Sequence, residues 1–482
     1  MSGQASRSQN FIQMFVFVCL TALGLMAIRY PGPSASELEL FGQAAGQRSL
    51  LWHFHRFFSP LGAAFGADEI AAFRSGAVIC FVLLAWLVYR WTSRLLGVAG
   101  GVTAAGLLIL TPRAVAAGMQ AGEYPALALT TLLAASLLER TERSRWFAVP
   151  FALCCGIGFA LSSWFALSAL CLVIWSAAGG RWAVRWRSLA AAAAATLVLP
   201  ILLNPLWWSS PAAGYAAWIA GSLGRSVYSS PVLYFGRLFA GGLPWHYVIV
   251  ILVAGMPVVL AVLAIAGKLV SVTPRYYPSA AGFGLTVSTL WILSAMTGRF
   301  PAADGLAFFL PLLACDSIMA AHTLHFFRRR LASAGVATGG AAVALIFALL
   351  FTPPAIVGAR LWPCLGSHYS PVVGFLPGAG RLGLQVCFDS SPLNTDFIRT
   401  VNDHMGPGTT IRAAGIAESA LPGLRAEITT STAEPSDAVL LLNSPGTWSS
   451  GDSILFHTTN PVVSVERSGV VLIGLFETAG DP

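Results

Sequence analysis

Residues 73–111 read FRSGAVICFVLLAWLVYRWTSRLLGVAGGVTAAGLLILT, two apolar runs parted by Tyr89, Arg90 and Arg94. A helix that crosses a bilayer needs roughly 20 mainly apolar residues, with about 17 as the lower bound. Each run is therefore a candidate span, and the arginines between them mark a turn at a membrane surface. The pattern repeats outward in both directions. With 73–90 and 96–111, candidate spans near 11–29, 123–138, 147–161, 163–178, 189–206, 246–267, 279–297, 305–324 and 336–357 make about eleven transmembrane helices. Residues 147–178 read either as one long helix or as a tight hairpin around Gly156, Gly158, Ser162 and Ser163.

Composition agrees. The 482 residues are 56% hydrophobic and 10% charged, with mean hydropathy +0.72, whereas soluble domains carry about 25% charged residues. Lipid, not water, solvates most of such a chain. The net charge is +8, but the basic residues stand singly or in small groups between apolar runs, which is how topology signals are distributed. No nucleic acid is expected as a partner. One lysine, Lys268, against 27 arginines reads as codon bias rather than chemistry. Six cysteines (Cys19, Cys80, Cys154, Cys155, Cys171 and Cys315) lie inside apolar runs and act as small hydrophobes. Cys364 and Cys387 could pair if their region is exported. No Cys/His spacing supports structural zinc. The run after Arg7 lacks a small-residue cleavage signature and reads as a retained first helix.

The arginines orient the chain. With residues 1–10 as a cytoplasmic tail, six short cytoplasmic segments hold 14 basic residues, opposed only by Glu139 and Glu142. The alternation predicts a multi-pass protein of the plasma (inner) membrane, with a transmembrane domain over 11–357 and an extracytoplasmic domain over 358–482. Two outward segments, 30–72 and 207–245, are long. Residues 358–482 shift in composition and hold 11 of the 20 acidic residues. Ala438–Leu442 and Val470–Leu475 there look like buried strands, so this part is a small α/β or mostly β domain.

Nine Asp or Glu residues lie between Phe11 and Phe351, six of them outward. A carboxylate near hydrocarbon is costly and by default marks a functional site. Glu37 and Glu39, just past the first span, suit a general base whose pKa desolvation brings towards the working range; the plainer reading is carboxylates in interfacial water. Glu123 opens the fourth span in AGEYPALAL, where a helix N-terminus favours its ionised form. It reads as a dipole-stabilising residue, or as a second carboxylate sharing a divalent cation or a substrate hydroxyl with Glu37. Asp304 opens the tenth span similarly. Asp316 lies deeper and reads as protonated or internally hydrogen-bonded. The outward arginines are Arg29, Arg48, Arg56, Arg74, Arg113, Arg225, Arg237 and Arg299. Their guanidinium forks suit a lipid phosphate, although headgroup snorkelling explains any one of them. The aromatics of NPLWW, Tyr234-Phe235 and LPWHY form an interfacial belt or line a sugar or lipid groove.

In this order the segments resemble the polytopic glycosyltransferases of the dolichyl-phosphate-mannose–protein mannosyltransferase and aminoarabinose transferase type, a GT-C fold of glycosyltransferase family 39-like character. The resemblance rests on Phe58-Ser-Pro-Leu-Gly62, at a His-Pro-Pro-Leu-like turn of the family, and on Gly66–Arg74. Glu123-Tyr-Pro stands at the second acidic site, usually Asp-x-Pro. Asn204-Pro205, Tyr234-Phe-Gly236 and Pro244-Trp-His-Tyr247 resemble its long outer loop. Asp304-Gly305 stands at an Asp-Gly-x-Arg motif, and His368-Tyr369-Ser370 follows the last span.

The resemblance implies inverting transfer of a sugar from a polyprenyl-phosphate donor to a lipid, glycan or protein acceptor at the outer face. Glu37, Glu39 and Glu123 are then the expected catalytic residues. His55, Arg74, Tyr124, Arg237, His246, Arg299 and Asp304 are expected to bind substrate, and a divalent cation would sit between Glu37 and Glu123. The departures are Ser36 for the Asp of the family's Asp-Glu pair, Phe58 for its histidine and Ala307 for its arginine. They keep a second reading open, a catalytically degenerate relative that binds polyprenyl lipid or scaffolds a partner. A transporter fits poorly, because the charges gather at one face rather than at the midplane.

Overall fold

The computed structural model describes residues 49–478, apart from 205–206, 225–230, 241, 273–279, 299, 302–304, 334–339, 389–390, 415, 417–420, 422–423, 426 and 432–435, together with Thr21, Ala22, Gly24, Leu25, Ala27 and Leu40. The helices are α1 (Leu50–Ala64), α2 (Glu69–Phe73), α3 (Ser75–Ile109), α4 (Pro112–Gly118), α5 (Glu123–Thr141), α6 (Ala148–Leu161), α7 (Phe165–Ala178), α8 (Trp182–Leu203) and α9 (Pro211–Gly224). The hairpin β1 (Val232–Tyr234) and β2 (Arg237–Phe239) follows. Then come α10 (Tyr247–Gly255), α11 (Val258–Ser271), α12 (Ala280–Met296), α13 (Leu310–Ser333), α14 (Gly340–Leu361) and α15 (Phe375–Arg381). The last part is α16 (Thr395–His404), β3 (Thr410–Ala414), β4 (Thr429–Ser431), β5 (Ala438–Leu442), α17 (Ser450–Thr458), β6 (Val463–Arg467) and β7 (Val470–Glu477).

The opening stretch folds as its arginines imply. α3 breaks at Gly97, whose φ of 81° only glycine adopts easily. A Cβ on Gly101 would lie 2.7 Å from the Tyr89 carbonyl oxygen; a straight helix would hold those residues about 18 Å apart, so the two halves double back. Three described helices, Ala71–Ile109, Trp182–Leu203 and Ala307–Ser333, are long and apolar enough to cross a membrane, and a fourth if α4 and α5, bent by 104°, form one span. The expected count of eleven is not met by helices of that length. Several expected spans are instead helices of 14 to 17 residues, such as α6, α7 and α12. The 147–178 stretch is interrupted between Leu161 and Phe165, and 246–267 is split at Met256-Pro257, where proline cannot continue the hydrogen-bond ladder.

α13 is the hub. Leu310 through Thr323 are all buried, as suits a helix without a polar face, and α3, α5, α11 and α12 pack on it. Asp316 on α13 meets Lys268 of α11 at 2.9 Å and accepts from Ser288 of α12 at 2.9 Å. The one lysine thus ties down the deepest carboxylate, which corrects the reading of Lys268 as codon bias. Glu142 accepts from buried Arg185 at 2.7 Å and lies 3.6 Å from Arg181, while Glu139 accepts from the Trp91 indole at 2.9 Å. On α8, by contrast, Leu197, Val198 and Leu202 are exposed, an apolar surface that lipid would cover.

Two segments read as outward in the sequence, 30–72 and 207–245, contain regular structure among their described residues. Residues 30–72 contain α1, whose buried Trp52, His55, Ser59 and Gly62 recur at helical spacing, so Phe58–Gly62 is helix and not the expected turn. Pro60 inside α1 leaves the Arg56 carbonyl without its amide partner, and the Ser59 hydroxyl donates to it at 2.9 Å. Residues 207–245 hold α9 and the β1–β2 hairpin.

The last part of the chain is a mixed five-stranded sheet in the order β4-β3-β5-β7-β6, with β4, β3 and β5 parallel. β5 is central and buried throughout, as its unbroken apolar run implies. Ser468-Gly469, both at positive φ, close the β6–β7 hairpin as a two-residue turn requires. The sheet shares one apolar cluster with the helices. The β1–β2 hairpin joins them. Gln385 N donates to the Leu233 carbonyl and Gly236 N to that of Gly383, each at 3.0 Å. Cys364 and Cys387 are buried thiols and not a disulfide, the Cys387 thiol donating to the Leu472 carbonyl.

Candidate functional site

Of the nine acidic residues in the apolar part, five serve the fold. Asp316, Glu139 and Glu142 are paired as described. Asp68 caps α2 by accepting from Ala71 N at 2.8 Å, and Glu69 bridges to Arg56 at 3.1 Å. The other four are Glu37, Glu39, Glu123 and Asp304, the residues singled out in the sequence. Glu37, Glu39, Arg299 and Asp304 lie outside the described residues.

Glu123 is the first residue of α5, after an extended Gly122. Its neighbours come from distant sequence. His55 of α1 is fully buried and its Nε2 donates to the Gly122 carbonyl at 3.3 Å. Gly76, at the start of α3, leaves room for that ring, since a Cβ there would lie 3.0 Å from His55 Nδ1. His55 also packs on Phe73, next to Arg74, which is buried at the α2–α3 junction. His55 thus stands beside the α5 N-terminus, while Arg74 is buried one residue past the Phe73 ring that His55 packs on.

Tyr124 begins a path of rings, each step within 6.2 Å, through Phe308, Phe300, Tyr247 and Tyr234 to His246. Burial raises the pKa of the Tyr234 hydroxyl, so it stays protonated. Arg237 is exposed on β2 and is not drawn into this group. The aromatics expected to form a belt or a groove therefore act in part as the packing that spaces the Glu123 region from the β1–β2 hairpin.

Arg113 was one of eight outward arginines in the sequence and nothing singled it out. In the structure it is 3% exposed and its Nε donates to the His368 carbonyl at 2.7 Å. Its guanidinium lies 4.5 Å from the Tyr369 ring and 4.8 Å from that of Phe388, and among the described residues neither Nη has a hydrogen-bond partner. His368 donates through Nδ1 to the Gly255 carbonyl at 3.1 Å. Burial, reinforced by the Arg113 charge, lowers its pKa to about 4. Leu306 packs at Gly255 beside Arg113, while Phe308 packs on Tyr124. One short segment therefore separates the arginine from the Glu123 region. A mainly apolar cavity of about 220 Å³ lies on the other side of α4, lined by Val115, Gly118, Met119, Phe81, Ile109 and Trp362 among others. Among the described residues no three His, Cys, Asp or Glu side chains are placed to hold a metal, and Glu37 of the expected Glu37–Glu123 pair lies outside them.

No family model and no curated protein sequence matches the chain. Among solved structures it is similar to ArnT from Cupriavidus metallidurans in the apo state, with TM-score 0.53 and 14% identity over 98% of this chain and 98% of that one. The structure of the same ArnT bound to undecaprenyl phosphate also has TM-score 0.53 and 14% identity, over 97% of this chain and 98% of that one. The archaeal oligosaccharyltransferase AglB from Archaeoglobus fulgidus, in complex with an inhibitory peptide and a dolichol-phosphate, covers 73% of this chain and 56% of its own at 13% identity. Its TM-score is 0.43, too low to carry an argument. At 14% identity the end-to-end match with ArnT speaks for architecture and not for chemistry, and the architecture it shows is the GT-C fold expected from the sequence.

Proposed function

We propose that this chain is a membrane glycosyltransferase that moves a sugar from a polyprenyl-phosphate donor to an acceptor hydroxyl at the outer face. The observation that carries the proposal is the full-length likeness to ArnT, one structure of which holds undecaprenyl phosphate. The buried His55 held against the residue before Glu123 supports it. In this reading Glu37 or Glu39 takes the acceptor proton. The acceptor oxygen attacks the anomeric carbon from the face opposite the phosphate, that carbon's bond to the phosphate oxygen breaks, and the electron pair leaves with the carrier phosphate. Glu123 orients the hydroxyl or shares a divalent cation with Glu37. About eleven membrane passes, counting the short and broken helices, would place the N-terminus in the cytoplasm and the sheet outside an inner membrane.

One observation favours the second reading, a lipid-binding relative without turnover. Phe58, at the family's histidine, packs among Phe54 and Phe57, and Ala307, at its arginine, is buried. Both polar positions have become packing. Purified protein supplied with polyprenyl-phosphate sugars, with carrier-phosphate release followed for wild type, Glu37→Gln, Glu39→Gln and Glu123→Gln, separates the two. Release by wild type that Glu123→Gln and one of the others abolish supports transfer. Release unchanged in all three variants removes this mechanism, and none with any donor and acceptor pair favours the binding relative.

A further inference from the structure

A buried guanidinium that uses one of its five N–H donors needs an explanation. Buried polar groups are normally hydrogen-bonded, and a desolvated cation is costly unless an anion meets it. Arg113 bonds the His368 carbonyl through Nε and, among the described residues, leaves both Nη atoms without a hydrogen-bond partner. Its aromatic neighbours Tyr369 and Phe388 offer π faces, which favour a cation but do not take up its planar N–H fork. The Tyr369 hydroxyl donates to the Gln385 carbonyl; its oxygen is near enough to interact with Arg113 but is neutral and leaves the guanidinium charge unmatched. His368, the titratable group bonded beside it, stays neutral at physiological pH and supplies no charge of either sign. At the other end of the bundle buried Arg185 meets Glu142, so this chain pairs a buried arginine where the fold alone requires it.

We infer that Arg113 is an anion-binding residue whose free Nη fork takes a phosphate group. An unpaired fork fits a tetrahedral oxyanion through two parallel N–H···O bonds. Two sources share this chemistry, a lipid headgroup phosphate and free phosphate. The lipid source fits the surroundings, because Val115 and Gly118 of the same short helix, with Met119 just after it, line the apolar cavity. One helix then serves the head of an amphiphile on one side and its tail on the other. Resting on the transferase reading, this assigns the carrier phosphate to one of eight outward arginines.

The test uses detergent-purified full-length protein, with affinity read by native mass spectrometry and Tm by thermal unfolding. The probes are undecaprenyl phosphate, undecaprenol and inorganic phosphate, applied to wild type, Arg113→Gln and Arg113→Lys. Wild type should bind undecaprenyl phosphate more tightly than undecaprenol. Arg113→Gln should lose about ten- to a hundredfold in that affinity while keeping its undecaprenol binding, and Arg113→Lys should keep part of it. Removing a cation that lacks partners should leave the ligand-free Tm unchanged or raised. Arg113-dependent binding of inorganic phosphate without preference for the lipid would support the site and assign free phosphate as its source. Undiminished undecaprenyl phosphate binding in Arg113→Gln, or a ligand-free Tm lowered as far as in Asp316→Ala, overturns the inference. The two readings fail separately. Donor turnover with binding intact in Arg113→Gln removes this inference alone, and binding lost in that variant without any turnover by wild type removes the transferase reading alone.

Discussion

The two ends of the helical bundle use the same residue types to different effect. At the arginine-rich end every described buried charge is closed off. Arg185 meets Glu142 and Glu139 takes the Trp91 indole there, and deeper in the bundle Lys268 and Ser288 share Asp316. At the opposite end Arg113 has two nitrogens without a hydrogen-bond partner among the described residues and His368 is held neutral, with Glu123 and His55 one short segment away. A bundle able to satisfy its charges at one end and leaving donors open at the other is built to receive something there. Composition does not separate the ends; pairing does.

The sharpest way to break this contrast is to remove one carboxylate from the open end and one from the paired interior. Glu123→Gln should lower sugar transfer by roughly 10²–10⁴-fold, the scale of a lost acid–base or orienting group, with little change in Tm. Asp316→Ala should do the reverse, costing about 3–5 kcal/mol of stability because Lys268 is left charged and partnerless. Thermal unfolding should show much of that recovered in Lys268→Met with Asp316→Leu. Equal losses of activity and stability in both variants would erase the distinction.

A third consequence concerns pH. His368 has its pKa lowered from 6.5 to about 4 in the folded protein, so the unfolded chain binds the extra proton first as pH falls. The contribution is complete above about pH 6.5 and is lost between there and pH 4, amounting to about 3 kcal/mol at its limit. Unfolding midpoints measured across that window should fall with pH, and His368→Gln should flatten the slope. The smallest effect belongs to α1. Ser59→Ala leaves the Arg56 carbonyl above Pro60 without a donor and should cost about 1 kcal/mol, read as a lower Tm with the affinity for donor unchanged.

Much of the architecture was legible in the sequence because membrane helices declare themselves by length and polarity. The runs either side of Arg90 and Arg94 fold back at Gly97, and β5 and β7 contain the two stretches read as strands. Where reading failed, the cause was local composition or distance. The aromatic, proline-bearing character of 50–64 hid a helix whose buried face was spaced at 52, 55, 59 and 62. Pro257 stood in plain view inside an apolar run that was read as continuous. Lys268 and Asp316 are 48 residues apart, and no pattern along the chain joins them. Arg113 depends on Gly255, His368, Tyr369 and Phe388, so only the folded chain distinguishes it from the other outward arginines. Glu123 heads its helix as expected because proline and a carboxylate at a helix start carry a local signal.

The central claim is that an acidic residue of the first outward segment meets Glu123 across one substrate. Paired cysteines at 37 and 123, and at 39 and 123, in membranes, with a thiol cross-linker about 10 Å long, test it most directly, that being the reach of two carboxylates flanking one sugar. A control pair at 56 and 69 replaces the Arg56–Glu69 bridge of 3.1 Å. The account predicts that linked peptides form for the control and for at least one of the two test pairs. Linkage of the control with neither test pair linked would contradict it.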